Sequence, residues 1–210
     1  YNRNHPSVIL WGVRVNGSND DEELYTTTNN AAHNIDKLRQ TAGTRNIKKS
    51  NLLEDVYAYN DFSYDGENEP IEKRKDVISD ETKAYIISEY NGYMYPSKSF
   101  DTESDKLEHA LRHAKIMNGY YKDKLIAGGI AWCMTDYNAN NGFGSADGIC
   151  YHGIMDMFRN PKLVASLYSC YTNENVLEIS SSMSMGEHKA EIAGKMYIFS
   201  NADSVKMYKN

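Results

Sequence analysis

Glu89 and Asn16 are the residues whose type and position best suit chemistry. Each lies at the end of a short hydrophobic run, Ala84-Tyr85-Ile86-Ile87-Ser88-Glu89-Tyr90 and Val8-Ile9-Leu10-Trp11-Gly12-Val13-Arg14-Val15-Asn16. Continuous apolar runs with β-branched residues and no alternation read as parallel strands buried on both faces. The C-terminal ends of such strands are where barrel and doubly wound enzymes carry their reactive groups. Glu89 therefore stands where a catalytic carboxylate would stand, and Gly17, just past the other strand, stands where its partner is expected. Tyr90 and Asn91 follow Glu89 and offer hydrogen bonds that keep it ionised. His109 and His113 are four residues apart on a predicted helix, a spacing able to bind zinc, but no third ligand or HExxH context accompanies them. They read as a solvated helix face. Cys133, Cys150 and Cys170 are odd in number and lack CxxC spacing, so they read as plain buried or half-buried thiols. The aromatic bias, 17 Tyr and 2 Trp against 5 Phe, suits surfaces that stack on sugars while bonding hydroxyls.

The elements that must position these groups alternate. After the first strand, Ser18-Asn19-Asp20-Asp21 supplies an N-cap and acidic first turn for a helix to about Leu38, with Leu24, Ala31, Ala32, Ile35 and Leu38 as its apolar stripe. Strands follow near 40–44 and 55–61. A charged stretch from Ser63 to Thr82 reads as a solvated loop or weak helix, before the strand that ends at Glu89. A loop with Tyr93, Tyr95 and Pro96 leads to a helix near 104–121, then to a strand over 126–134 and the Gly-rich Asn141–Gly148. A last helix is expected near Pro161–Tyr171, with Pro161 in its first turn. Alternation of this kind is the mark of a parallel α/β architecture with right-handed crossovers. From Asn175 the pattern becomes hairpin-like, Val176–Ser180 and Lys195–Ser200, as at the opening of a separate β domain.

With 210 residues the chain can bury a sizeable core, and its composition is that of a globular protein. A net charge of -6 and a pI near 5.5 argue against nucleic acid, since Lys48-Lys49 and their neighbours are too small a basic cluster to serve phosphates. Neutral or cationic partners are expected. No apolar run approaches a membrane span, and no membrane partner is expected. No signal peptide or initiator Met is present, so the chain starting at Tyr1 reads as a processed product or an excerpt.

Arg3-Asn4-His5-Pro6-Ser7-Val8-Ile9-Leu10-Trp11 closely resembles the fourth-strand signature of glycoside hydrolase family 2, the β-galactosidase and β-glucuronidase family. Ile87-Ser88-Glu89-Tyr90 resembles the seventh-strand motif that holds the family's nucleophilic Glu. Ala131-Trp132 resembles the eighth-strand Trp that shapes the sugar subsite. The stretches Glu89–Phe100 and Trp132–Arg159 resemble a β-galactosidase-like branch. The matches run in order over about residues 1–172. The resemblance implies the C-terminal part of a TIM (β/α)8 barrel, about strands 4–8, over 1–173, and the start of a β-sandwich over 174–210. It implies part of a retaining β-glycosidase acting on a β-linked oligosaccharide or galactoside, and a bacterial cytoplasmic or periplasmic/secreted setting. No cofactor is called for, although a structural Mg or Na ion is compatible with the family. In this reading Glu89 is the nucleophile, Asn16 bonds the sugar 2-hydroxyl, Trp132 stacks on the sugar, and His5 supports the site from behind. Tyr59 and Asn60 end the strand whose Tyr lies near the nucleophile, with Tyr57 and Asp61 competing for that place. His152 and Asp136 are expected near the subsite.

Two departures change the expectation. A closed barrel of this kind takes eight strands and about 250 residues, so a chain starting at the fourth strand is expected to need the missing N-terminal part of its polypeptide, or self-association. The family's Asn-Glu is here Asn16-Gly17, so the position of the general acid/base is vacant and an impaired enzyme is expected. Asp20, Asp21, Glu22 and Glu23 read as a dipole-complementing helix start rather than a displaced acid. Asn16-Gly17-Ser18 has the form of a glycosylation sequon, but at the end of a buried strand it is not read as one. A non-catalytic sugar-binding protein on a dead scaffold, an engineered variant with Gly17 in place of Glu, and a purely structural piece are the competing readings.

Overall fold

The computed structural model describes residues 1–92, 97–140, 145–181 and 195–208. Tyr93, Tyr95, Pro96, part of the Gly-rich stretch and the turn after Ser181 lie outside them. The chain forms two compact units, Tyr1–Asn91 with Ile116–Ala131, and Gly92–Lys115 with Trp132–Asn210.

The first unit is a parallel sheet in chain order: β1 (Leu10–Gly12), β2 (Gln40–Arg45), β3 (Val56–Asp61), β4 (Ala84–Tyr90) and β5 (Ile126–Ala131). This is the predicted architecture, with all five strands close to their expected places. Alternation along the strands separates two faces. Leu10, Ala42, Val56, Ala58 and Ile86 cluster on one. On the other the rings of Tyr57 and Tyr85 pack 6.3 Å apart.

Three expectations are corrected here. The first apolar run yields a strand of three residues, and Ile9 and Val15 on either side are 76% and 65% exposed. Among the described residues β1 pairs with β2 alone, over Leu10–Gly12. The first helix, α1 (Glu22–Ile35), is capped by Asp21, whose carboxylate accepts from Leu24 N, but Leu24, Ile35 and Leu38 of its expected stripe are exposed. Its docked face is polar: Thr28 donates to Val13 O, Asn29 to Leu53 O, and Thr41 of β2 to Asn29 Oδ1, with Tyr25 the buried ring. Hydrogen bonds, which a hydrophobic pattern does not register, seat this helix. In the 63–82 stretch the weak helix is borne out as the short α2 (Arg74–Val77), and only the solvated reading is corrected: Arg74, Val77 and Ile78 are buried, the guanidinium of Arg74 donating to the carbonyls of Glu81 and Lys83.

α3 (Glu103–Lys122) runs through both units. In the second, Ala110 of α3, Val164 of α4 (Leu163–Ser169) and Phe199 form a core with Leu107, Ile154 and Leu167 around it. Lys162 is the N-cap of α4, so Pro161 precedes the helix rather than sitting in its first turn. Two antiparallel pairs complete this unit: β6 (Tyr137–Asn138) with β7 (Ile149–Cys150), and β8 (Leu177–Ile179) with β9 (Ile198–Ser200). His109 and His113 are buried, not solvated. Their rings meet edge-on at 4.9 Å, and His113 Nδ1 lies 2.7 Å from the Tyr168 hydroxyl. The four-residue spacing placed them on one helix face correctly; that the face is covered depends on α4, far along the chain.

Candidate active site at the ends of the parallel strands

Three strand ends of the first unit meet through side chains. Ser88 donates to Asn60 Oδ1 at 2.8 Å, Asn60 Nδ2 to Asn16 Oδ1 at 3.0 Å, and Asn16 Nδ2 to Glu89 Oε1 at 3.2 Å. Each amide accepts on one side and donates on the other, so the chain of dipoles runs toward the carboxylate. Ser88 and Glu89 are adjacent yet serve one cluster because of a bulge. Tyr59 pairs with Ile87 and Asn60 with Glu89, leaving Ser88 as an extra residue of β4. Bulges re-aim side chains in this way. Burial pushes the Glu89 carboxyl above the ordinary carboxylate range, and the Asn60 amide offsets part of that rise.

The turn that carries Asn16 is held from below. Ser18 Oγ bonds Val15 O at 2.7 Å and meets the Tyr25 hydroxyl at 2.5 Å, while the buried Arg14 guanidinium lies 4.5 Å over the Tyr25 ring and 2.6 Å from Asp20. Ser50 donates to Asp20 at 2.6 Å and accepts from Arg45, which forms a fully buried pair with Glu54 at 2.5 Å. Burial raises Asp20, but Ser50 and Arg14 outweigh it and hold the carboxyl below its usual range. Gly43 is what lets Glu54 in, since a Cβ there would lie 2.0 Å from Glu54 Oε1. Gly17 has φ +75°, and a Cβ on it would meet nothing within 4 Å.

Of the residues singled out in the sequence, Asn16, Asn60 and Glu89 come together, with Gly17 adjoining. Tyr59 does not join them. It precedes Asn60 on a regularly alternating strand and so takes the opposite face, where burial first, then Asp61 and Glu72, push its phenol up to about 12. Tyr57 is likewise committed elsewhere, donating to Ile47 O, and Asp61 accepts from Ser63 and Glu72 N. His5 is exposed, and its carbonyl accepts from Arg39, which also holds the carbonyls of Arg3 and Val8. Arg39 precedes β2, so His5 lies at the N-terminal end of the sheet, opposite Glu89, and its backbone rather than its ring is engaged. Asp21 is a cap and Asp20 a buttress, so neither takes the place of an acid beside Glu89.

Trp132 follows β5 in the chain and belongs to the second unit. Its Nε1 donates to the Tyr137 hydroxyl at 3.3 Å, and the Tyr137 ring meets His152 edge-on at 6.0 Å. Asp136 pairs with Lys162 at 2.6 Å, and Lys162 also donates to Ser97. Sequence reasoning missed Ser88, Arg14, Arg45, Glu54 and Lys162. The one available signal was Arg14, a cation inside an apolar run, which requires a buried partner. Among the described residues no group of three or more His, Cys, Asp or Glu gathers as a metal site.

Residues 1–174 match the family model described as glycosyl hydrolases family 2, TIM barrel domain. The chain belongs to glycosyl hydrolase family 2. Within that family, it is 47% identical over 208 residues to a beta-galactosidase of Thermoanaerobacterium thermosulfurigenes, covering 97% of this chain and 29% of that protein. A beta-galactosidase of Thermoanaerobacter pseudethanolicus is 38% identical, covering 99% of this chain and 28% of its own length. The chain thus spans under a third of these family 2 relatives. Among solved structures, the beta-glucuronidase of Parabacteroides merdae superposes with a TM-score of 0.64 at 18% identity, over 96% of this chain and 29% of that one. That likeness supports the family 2 fold, with the five parallel strands as part of a barrel.

Proposed function

We propose that these residues form part of a retaining β-glycosidase of β-galactosidase type, working on a β-linked galactoside or oligosaccharide within a longer polypeptide. Residues 1–173 contribute barrel and 174–210 open a following β-sandwich. The observation that carries the reading is the Ser88–Asn60–Asn16–Glu89 chain at the C-terminal strand ends. Glu89 is the nucleophile, attacking the anomeric carbon to form a glycosyl ester. Asn16 has two amide protons; one is committed to Glu89, and the other is left for the sugar hydroxyl beside the reacting carbon. For Trp132 the sugar-stacking role rests on the family resemblance alone; within its own unit its Nε1 donates to the Tyr137 hydroxyl. A retaining enzyme also needs a second carboxyl about 5–5.5 Å away to protonate the leaving oxygen. Gly17 supplies none, so natural glycosides with poor leaving groups turn over slowly.

The same glycine favours a second reading, a sugar-binding protein on an inactive scaffold. One experiment separates them. The polypeptide at the relatives' length is incubated with an activated 2-fluoro-galactoside and mapped by mass spectrometry. A sugar adduct on Glu89, absent in Glu89→Gln, is the result expected of the glycosidase. Binding of the sugar without any adduct supports the inactive scaffold, and an adduct at another residue refutes the assignment of Glu89.

A further inference from the structure

With Trp132 read as a ring that stacks on sugar, we infer that Tyr137 and His152 are positioning residues: they fix the Trp132 indole, and are themselves fixed by a ladder of rings that ends at Tyr168 on α4. All of these residues lie within the second unit. Trp132 donates from Nε1 to the Tyr137 hydroxyl at 3.3 Å, and the two rings stand at 80° with centroids 6.0 Å apart. An indole nitrogen is a donor only, so this one bond uses the whole polar capacity of the side chain and sets which way its edge points. Tyr137 is not free to swing. Its backbone is paired with Cys150 across β6 and β7, its hydroxyl is also bonded to the Cys150 side chain, and its ring meets His152 edge-on at 6.0 Å and 79°.

Behind His152 the contacts continue. The His109 ring bonds the His152 backbone, and His109 and His113 meet at 4.9 Å and 89°. His113 in turn meets the Tyr168 ring at 5.7 Å and 77°, with its Nδ1 2.7 Å from the Tyr168 hydroxyl. Successive rings stand close to perpendicular, the edge-to-face arrangement that the aromatic quadrupole favours. Aliphatic side chains could fill the same volume, as Val164 and Leu167 do in the neighbouring core. They would also spare the chain the cost of burying three imidazoles in neutral form. What aliphatic groups lack is direction. An aliphatic neighbour lets a ring turn, whereas a perpendicular ring joined to a hydrogen bond resists it. The orientation of Trp132 is thereby tied to α4, although thirty residues of chain separate them.

The test uses the polypeptide at the relatives' length, labelled with fluorotryptophan and read by fluorine NMR. The resonance missing from Trp132→Phe is that of Trp132, and Trp11 is assigned in the same way. Trp132 is expected to give one narrow line. Tyr137→Phe keeps the ring but removes the hydroxyl, and should shift that line. His152→Leu should split or broaden it with Tyr137 intact, and His152→Phe, which restores a ring edge, should bring back a single line. The Trp11 line should stay unchanged throughout, since general loosening would broaden both. Where His152→Leu disturbs Trp11 as well, Tyr168→Phe decides, because it keeps every ring and removes only the bond to His113; it should still broaden the Trp132 line. A narrow, unmoved Trp132 line in His152→Leu, or in Tyr168→Phe in that second case, overturns the inference. Saturating galactose should move the Trp132 line. If the line answers to the variants and not to galactose, the ladder stands and the sugar-stacking reading beneath it falls.

Discussion

Both units bury ionisable side chains, and they do so in opposite ways. In the first, Arg45 and Glu54 are buried as charges, compensated by each other and by bonds from Arg45 to Gly43 O, Ser50 Oγ and Asn51 O. In the second, His109 and His113 are buried as neutral rings; burial first, then neighbouring charge including that of Lys162, pulls His109 down to about 3 and His113 well below its ordinary value. A charge can be held inside a fold when its partner is built in, and a histidine when it gives up its proton. The two solutions fail under different insults: the first when one partner is deleted, the second when the pH falls.

Deletion should have the largest effect. Arg45→Met leaves Glu54 buried without its cation, a loss of about 3–5 kcal/mol, whereas Arg45→Met with Glu54→Leu should recover most of it. Hydrogen exchange at the β2 and β3 amides, in the polypeptide at the relatives' length, reads both. If the single and double replacements cost the same, the pair contributes packing rather than charge compensation.

Acid should act next, and on the second unit. Below about pH 6.5 an unfolded chain protonates these histidines while the folded one does not, so stability present at pH 7 is lost as the pH falls from there toward 3. Each histidine contributes up to about 1.4 kcal/mol per pH unit in that window. Protease sensitivity within α4 should therefore rise between pH 7 and 5 before that of β2 and β3. His113→Leu should flatten the dependence. An equal response of both units would mean that the histidines are not the acid-sensitive element.

A smaller effect probes the cluster itself. Replacing Asn60 with Ser removes the bond that opposes the burial-driven rise of Glu89, so its carboxyl moves further up. The acid limb of the rate of Glu89 glycosylation should then shift to higher pH. An unchanged profile in burst kinetics with an activated donor would show that Asn60 orients Asn16 and does not tune the carboxylate.

Strands β3, β4 and β5 were legible because each contains an apolar or aromatic run, whereas the more polar β2 was placed, like the order of all five, by alternation with helices. The meeting of Asn16 with Asn60 and Glu89 was legible in outline, since strand ends of a parallel sheet share an edge. What joins them was not. The extra residue at Ser88 is a property of register with β3, which no local pattern in β4 encodes. The polar docking of α1 looked like a failed stripe, because Thr28 and Asn29 carry the contact that apolar residues usually make. Arg45 and Glu54 are nine residues apart with no periodicity, and only the closeness of Gly43 to Glu54 brings them into register. His5 illustrates the opposite error: a residue recognisable by its motif whose structural work is done by its carbonyl.

The smallest expected effect compares two glycines on the same strand path. Neither Gly12 nor Gly17 would bring a Cβ within 4 Å of another group, so space does not distinguish them. Backbone does: Gly17 has φ +75°, and Gly12, in β1, is not among the glycines with positive φ. A methyl group at position 17 meets its own carbonyl in the left-handed region and should cost about 1–2 kcal/mol, released if the turn flips and carries Asn16 away from Glu89. At position 12 the same methyl group restricts the unfolded chain and should be neutral or stabilising by a few tenths of a kcal/mol. Hydrogen exchange at the Ser18 amide, which donates to Val15 O at 3.3 Å, is the direct readout. Faster exchange in Gly17→Ala with unchanged exchange in Gly12→Ala is the expected pair. Equal exchange in both would show that the turn is held by Arg14, Tyr25 and Ser18 alone, and that a side chain at position 17 is excluded by nothing in the backbone.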